Sequence, residues 1–144
     1  MLGRSPDRHL VPDVRPLLHV PIGPGRLPAI RVQVETIALD CGMPGDEASD
    51  WVTAVNELMA NAVRHGGGTG ELRIWADQRL HCEVRDGGPG FISAPYVERR
   101  ERPLPSSEGG MGLWIASQMS DSMEIESGPA GTIVRISTRL PGSA

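Results

Sequence analysis

The stretch Trp51-Val52-Thr53-Ala54-Val55-Asn56-Glu57-Leu58-Met59-Ala60-Asn61-Ala62-Val63-Arg64-His65 carries a single period, and it is helical. Trp51, Val52, Val55, Leu58, Met59, Ala62 and Val63 recur every three or four residues, which gathers them on one broad apolar arc. Glu57, Asn61 and Arg64, spaced i, i+4 and i+7, line a second strip turned away from that arc. Pro44-Gly45-Asp46 precedes the helix and Gly66-Gly67-Gly68 follows it, so it is expected over residues 46–65.

On the N-terminal side, residues 29–41 read as another helix, with Gly42 where a left-handed cap is wanted. Residues 17–22 alternate as a strand, Leu18, Val20 and Ile22 sharing one face. Residues 1–16 are polar and broken by Pro6, Pro12 and Pro16, and read as a flexible arm ahead of a single domain over 17–144. Beyond the glycines, Leu72, Ile74 and Ala76 alternate, then Leu80, Cys82 and Val84, and the Asp77-Gln78 turn joins them as a hairpin. Periodicity vanishes over residues 91–109, which carry Pro95, Pro103, Pro105 and the run Glu98-Arg99-Arg100-Glu101-Arg102. Loops beyond about 12–15 residues in a compact domain are usually functional lids or disordered segments. A helix over 111–120 and a hairpin of strands 123–125 and 132–138 complete the chain. The order β-α-α-β-β-α-β-β predicts an α+β, two-layer sandwich, with helices on one face of a mixed, largely antiparallel sheet.

Composition narrows the function classes. The chain has 144 residues and 15.4 kDa, enough for one domain with its own core. A formal charge of −4 provides no phosphate-neutralising surplus, which argues against direct nucleic-acid binding. All 14 basic residues are arginine, which reads as the codon bias of a GC-rich bacterial genome. Aromatics are 3%, too few for a base-stacking platform. Cys41 and Cys82 lack metal or redox spacing and read as core or near-core residues of a reduced interior. With no signal-peptide pattern and no membrane-length apolar run, a cytoplasmic protein is expected.

Four constellations could carry chemistry. Glu57 and Asn61 fit a carboxylate base beside an amide oxygen able to ligand a hard cation such as Mg²⁺, although their spacing alone suits a solvated helix face. In Arg85-Asp86-Gly87-Gly88-Pro89-Gly90, alternation turns Asp86 inward, where a carboxylate needs a hydrogen-bond donor. A purine amino group could be that donor; a plain Asp-Gly turn is the competing reading. Glu108-Gly109-Gly110-Met111-Gly112-Leu113 opens a helix and offers backbone N–H groups to an anion, but is neither a P-loop nor a dinucleotide fingerprint. Gly131-Thr132 opens the last strand with a hydroxyl on the inward face, where a backbone partner is the commoner outcome.

The order of these boxes, Glu57-x-x-x-Asn61-Ala62, Asp86-x-Gly88-x-Gly90, Gly110-x-Gly112-Leu113 and Gly131-Thr132, resembles the four ATP-binding boxes of the GHKL superfamily. Its shared architecture is the Bergerat fold. Residues 54–66 look most similar to the bacterial anti-sigma-factor serine/threonine kinases. The resemblance implies ATP and Mg²⁺ as cofactors, with Asp86 on the adenine amino group and Thr132 supporting it. It implies Asn61 on Mg²⁺, Gly110, Gly112 and Leu113 at the phosphates, and Gly88 and Gly90 where an ATP lid over 91–109 begins. Glu57 would be the base toward a serine or threonine hydroxyl. Met111 stands where many relatives carry a basic residue, and Arg99, Arg100 and Arg102 of the lid are the candidate replacements.

The implied partners are an anti-anti-sigma (STAS-type) protein and a sigma factor, with no nucleic acid and no membrane; a homodimer is left open. The alternative is a non-catalytic ATP-binding module for partner switching. A histidine-kinase catalytic fragment is not expected, since the 16-residue arm is too short for a phospho-acceptor helix pair, nor is a gyrase-like ATPase, which would need a transducer domain.

Overall fold

The computed structural model describes residues 15–87 and 110–142. The expected lid, Gly88, Gly90 and most of the expected N-terminal arm lie outside the described residues. The elements run β1 (Leu18–Ile22), α1 (Leu27–Asp40), α2 (Gly45–His65), β2 (Gly70–Ala76), β3 (Arg79–Asp86), α3 (Gly110–Gln118), β4 (Ser122–Gly128) and β5 (Gly131–Arg139). This is the expected order. Several boundaries shift: α1 starts at Leu27 with a proline in its first turn, α3 runs from Gly110 only to Gln118, β4 spans seven residues instead of three, and β5 nine instead of seven.

The strands form one sheet in the order β1-β2-β3-β5-β4. All four described pairings are antiparallel, so the sheet expected to be largely antiparallel is antiparallel throughout its described strands. The reason is topological. Strand β4 runs in the same direction as β3, but β5 inserts between them and pairs antiparallel with both.

Helix α2 organises the other layer. Asp46 and Glu47 sit in its first turn and Arg64 and His65 in its last, which complements the helix dipole at both ends. It packs between α1 and α3 and lies on β1, β2 and β3. Trp51, Ala54, Val55, Leu58, Met59 and Ala62 are buried along it, meeting Ile30, Val34 and Ala38 of α1 and Leu113 and Ala116 of α3. The sheet contributes Ile22, Leu72, Ile74, Leu80, Cys82, Val84, Val134 and Ile136. Each fully buried aliphatic side chain adds about 1.5–3 kcal/mol, so this interface is the main source of stability. No helix among the described residues is long and apolar enough to cross a membrane.

The outer sheet face, away from the helices, is charged yet partly dry. Glu83 is fully buried there and accepts hydrogen bonds from Arg85 Nε and Arg135 Nε, both at 2.8 Å. Trp75 stacks on His81, with ring centroids 5.1 Å apart, and His81 Nε2 lies 2.9 Å from Asp77 Oδ1 in the hairpin turn. Asp77 Oδ1 also accepts the Arg79 backbone N–H at 2.8 Å; this bond and the histidine hold its carboxyl below the ordinary range.

Candidate functional site

The C-terminal ends of α2 and β3 and the start of β5 converge on the inner face. The cross-strand row Gly70–Asp86–Thr132–Ser127 runs across β2, β3, β5 and β4. Asp86 is half-buried and turned inward, as alternation requires. Its carboxyl group lies so close over Gly66, the residue capping α2, that any side chain at position 66 would overlap it. Thr132 is buried and its hydroxyl is 2.8 Å from that of Ser127. One end of the site is therefore an acceptor on a glycine floor, flanked by a pair of coupled hydroxyls.

The other end lies one to two turns back along α2. Asn61 is 5% exposed and makes no side-chain hydrogen bond among the described residues. Its amide is not among the fully buried, unpartnered polar groups of the described residues, so it keeps access to solvent and is open to a polar ligand. Glu57 is half-buried and reaches the first turn of α3. A Cβ built on Gly112 would stand 2.7 Å from Glu57 Oε1 and 3.6 Å from Arg64 Nη2. A side chain at 112 would push the Glu57 carboxylate aside, since a real Cβ essentially never stands so close to another heavy atom. The first-turn N–H groups of α3 have no intrahelical acceptors and the helix dipole favours negative charge there. Carboxylate, guanidinium and orphan N–H donors thus meet at the start of α3, with Asn61 one turn along α2 from Glu57.

The strip Glu57–Asn61–Arg64 is consequently solvated only in part: Asn61 is buried and Glu57 half-buried beside α3, while Arg64 is exposed. Gly110, Gly112 and Leu113 are buried at the start of α3, beside that strip. Gly88, Gly90, Arg99, Arg100 and Arg102 lie outside the described residues. Two participants escaped the sequence reading. Arg64 was visible as the third member of the strip, but its approach to Gly112 needs the α2–α3 packing. Ser127 lay beyond the expected end of β4. Cys82 is fully buried, and that burial followed by neighbouring Glu83 pushes its thiol up, which suits a core residue rather than a nucleophile.

Residues 20–138 match the family model described as the histidine kinase-like ATPase domain. The chain belongs to that family. Among curated relatives of this ATPase domain, an anti-sigma F factor of Bacillus licheniformis is 30% identical over 125 residues, covering 78% of this chain and 84% of that protein. A serine-protein kinase RsbW of Bacillus velezensis is 26% identical over 128 residues, covering 81% and 80%. Among solved structures, the RsbU and RsbW domains of a Mycobacterium tuberculosis protein superpose with a TM-score of 0.60 at 20% identity. That match covers 88% of this chain and 33% of the two-domain chain. A mycobacterial sensor histidine kinase, MprB, gives 0.52 at 17% identity, covering 85% and 98%. At such identities the structural likeness speaks to the fold of the ATPase domain, which is the two-layer sandwich described above.

Proposed function

We propose that the protein is a cytoplasmic, Mg-ATP-dependent serine/threonine kinase of the anti-sigma type. Its substrate is a hydroxyl on an anti-anti-sigma partner of the STAS type, and its regulatory output is the binding of a sigma factor. The names of the relatives, anti-sigma F factor and serine-protein kinase RsbW, support the partner classes. The observation that carries the catalytic reading is the Glu57 carboxylate held against Gly112 at the start of α3.

The residues present suit ATP. Asp86 offers the acceptor that an adenine amino group needs, and Gly66 leaves room for that carboxyl group. The start of α3 and Arg64 suit the phosphates; Arg64 supplies the positive charge that Met111 lacks. Mg²⁺, when bound, would neutralise phosphate charge, with the Asn61 amide oxygen as its protein ligand. No group of three His, Cys, Asp or Glu side chains that could hold a metal occurs among the described residues. In the transfer, the partner hydroxyl oxygen bonds to the γ-phosphorus as the bond to the β,γ-bridging oxygen breaks. ADP leaves and the hydroxyl proton passes to Glu57.

Two results test this reading. Asp86→Ala is expected to weaken ATP by about 1–3 kcal/mol in calorimetric titration, because the adenine amino group is left unpaired in a buried pocket. Unchanged affinity would remove Asp86 from the base pocket. Gly112→Ala tests the phosphate end. The group that must yield is the far end of a flexible side chain, so folding stability should change by no more than about 1 kcal/mol. The displaced carboxylate should nonetheless lower the transfer rate at least tenfold, because misplacing a catalytic group by about 1 Å can cost about 10²-fold. A parental rate in Gly112→Ala would show that the Glu57–Gly112 contact has no part in catalysis.

A further inference from the structure

Two hydroxyl pairs join β4 to β5, one on each face of the sheet. Ser122 Oγ lies 2.8 Å from Ser137 Oγ on the outer face, and Ser127 Oγ lies 2.8 Å from Thr132 Oγ1 on the inner face. The chemistry is the same, but only the inner pair adjoins Asp86, because Thr132 is the cross-strand neighbour of Asp86.

We propose that Ser127 is a positioning residue of the base pocket, which fixes the direction of the Thr132 hydroxyl proton. The inference rests on the ATP-binding reading above. Adenine presents a donor, its amino group, beside an acceptor, ring N1. Asp86 satisfies the first and, as a carboxylate, cannot satisfy the second. The buried hydroxyl next in the row is Thr132, which carries a single proton. If Thr132 gave that proton to Ser127, only lone pairs would be left for the base. With Ser127 as the donor in the 2.8 Å bond, the Thr132 proton is free to point at N1, directly or through one water. Polarisation along the two hydroxyls strengthens that donation. Ser127 thus acts on the nucleotide through Thr132, and it biases the pocket toward a base with an acceptor at N1.

The test compares ATP with 1-deaza-ATP, which keeps the amino group and lacks the N1 acceptor. Affinities are measured by calorimetry for the parent, Ser127→Ala and the outer-face control Ser122→Ala, with urea unfolding of each. Ser127→Ala is expected to bind ATP roughly three- to tenfold more weakly, the range of one net hydrogen bond. It should bind 1-deaza-ATP within twofold of the parent, and Ser122→Ala should leave both affinities unchanged. Equal weakening for the two nucleotides would make Ser127 merely structural and overturn the proposal, as would no weakening of ATP. If Ser127→Ala does not fold, Ser127→Cys enters the same comparison, with the same outcomes deciding. A parent chain that binds neither nucleotide would instead overturn the ATP-binding reading itself.

Discussion

Glu57→Gln is expected to bind Mg-ATP like the parent and to lose about 10²–10⁴-fold in the rate of phosphoryl transfer. The size of the loss follows from the chemistry of the acceptor. A serine or threonine hydroxyl is a poor nucleophile at neutral pH, and it must shed its proton as the new bond to phosphorus forms. A carboxylate in hydrogen-bond reach orients the hydroxyl and takes that proton; a glutamine amide of the same size can do only the first. In barrier terms the loss is about 2.7–5.5 kcal/mol. Binding should be spared because the proposed base end of the site, Asp86 and Thr132 on β3 and β5, is separate from Glu57. The two quantities should therefore part: calorimetric affinity for ATP unchanged, single-turnover appearance of phosphoserine slowed. A parental rate in Glu57→Gln would show that Glu57 is not the base. If the parent transfers phosphate to no STAS-type partner while still binding ATP, the protein is the non-catalytic partner-switching module instead.

Local sequence rules reached most of the fold and the elements of the site, because both depend on period and on glycine placement. The arc from Trp51 to Val63 is the buried face of α2, and alternation turned Asp86 and Thr132 inward. Long-range register carried the rest. Glu83 reads as an ordinary outward polar residue of a strand, and only the pairing of β3 with β5 brings Arg135 beside it. Gly112 reads in the sequence as a candidate backbone contact to phosphate. The space it leaves for Glu57 depends on how closely α3 approaches α2. Ser127 escaped because glycine and proline in the following turn weaken the strand signal near the end of β4, where cross-strand pairing with β5 sustains the strand.

That register also sets the largest expected effect on stability. Glu83→Ala should lower the free energy of unfolding by about 3 kcal/mol, the low end for breaking a buried ion pair. The side chain of Glu83 is fully buried and takes one 2.8 Å bond from Arg85 and one from Arg135. Without it two guanidinium groups share one sheet face with their common counter-charge gone. Their relief is unequal. Arg85, 37% exposed, can turn to water, whereas Arg135 is 20% exposed and retains Glu126 at 3.8 Å. This partial escape is why the low end is expected. A domain of this kind is stable by about 5–15 kcal/mol, so such a loss should shift the urea midpoint clearly. Replacing both partners with apolar residues of similar shape, as in Glu83→Leu with Arg135→Met, should restore much of the stability, since neither charge then remains buried. The effect should stop at the sheet: Glu83 faces away from the helices, so the folded Glu83→Ala protein should bind ATP like the parent. A loss below about 1 kcal/mol would place the Glu83 cluster among surface ion pairs of little weight, and weakened ATP binding by the folded variant would mean that the two sheet faces are coupled.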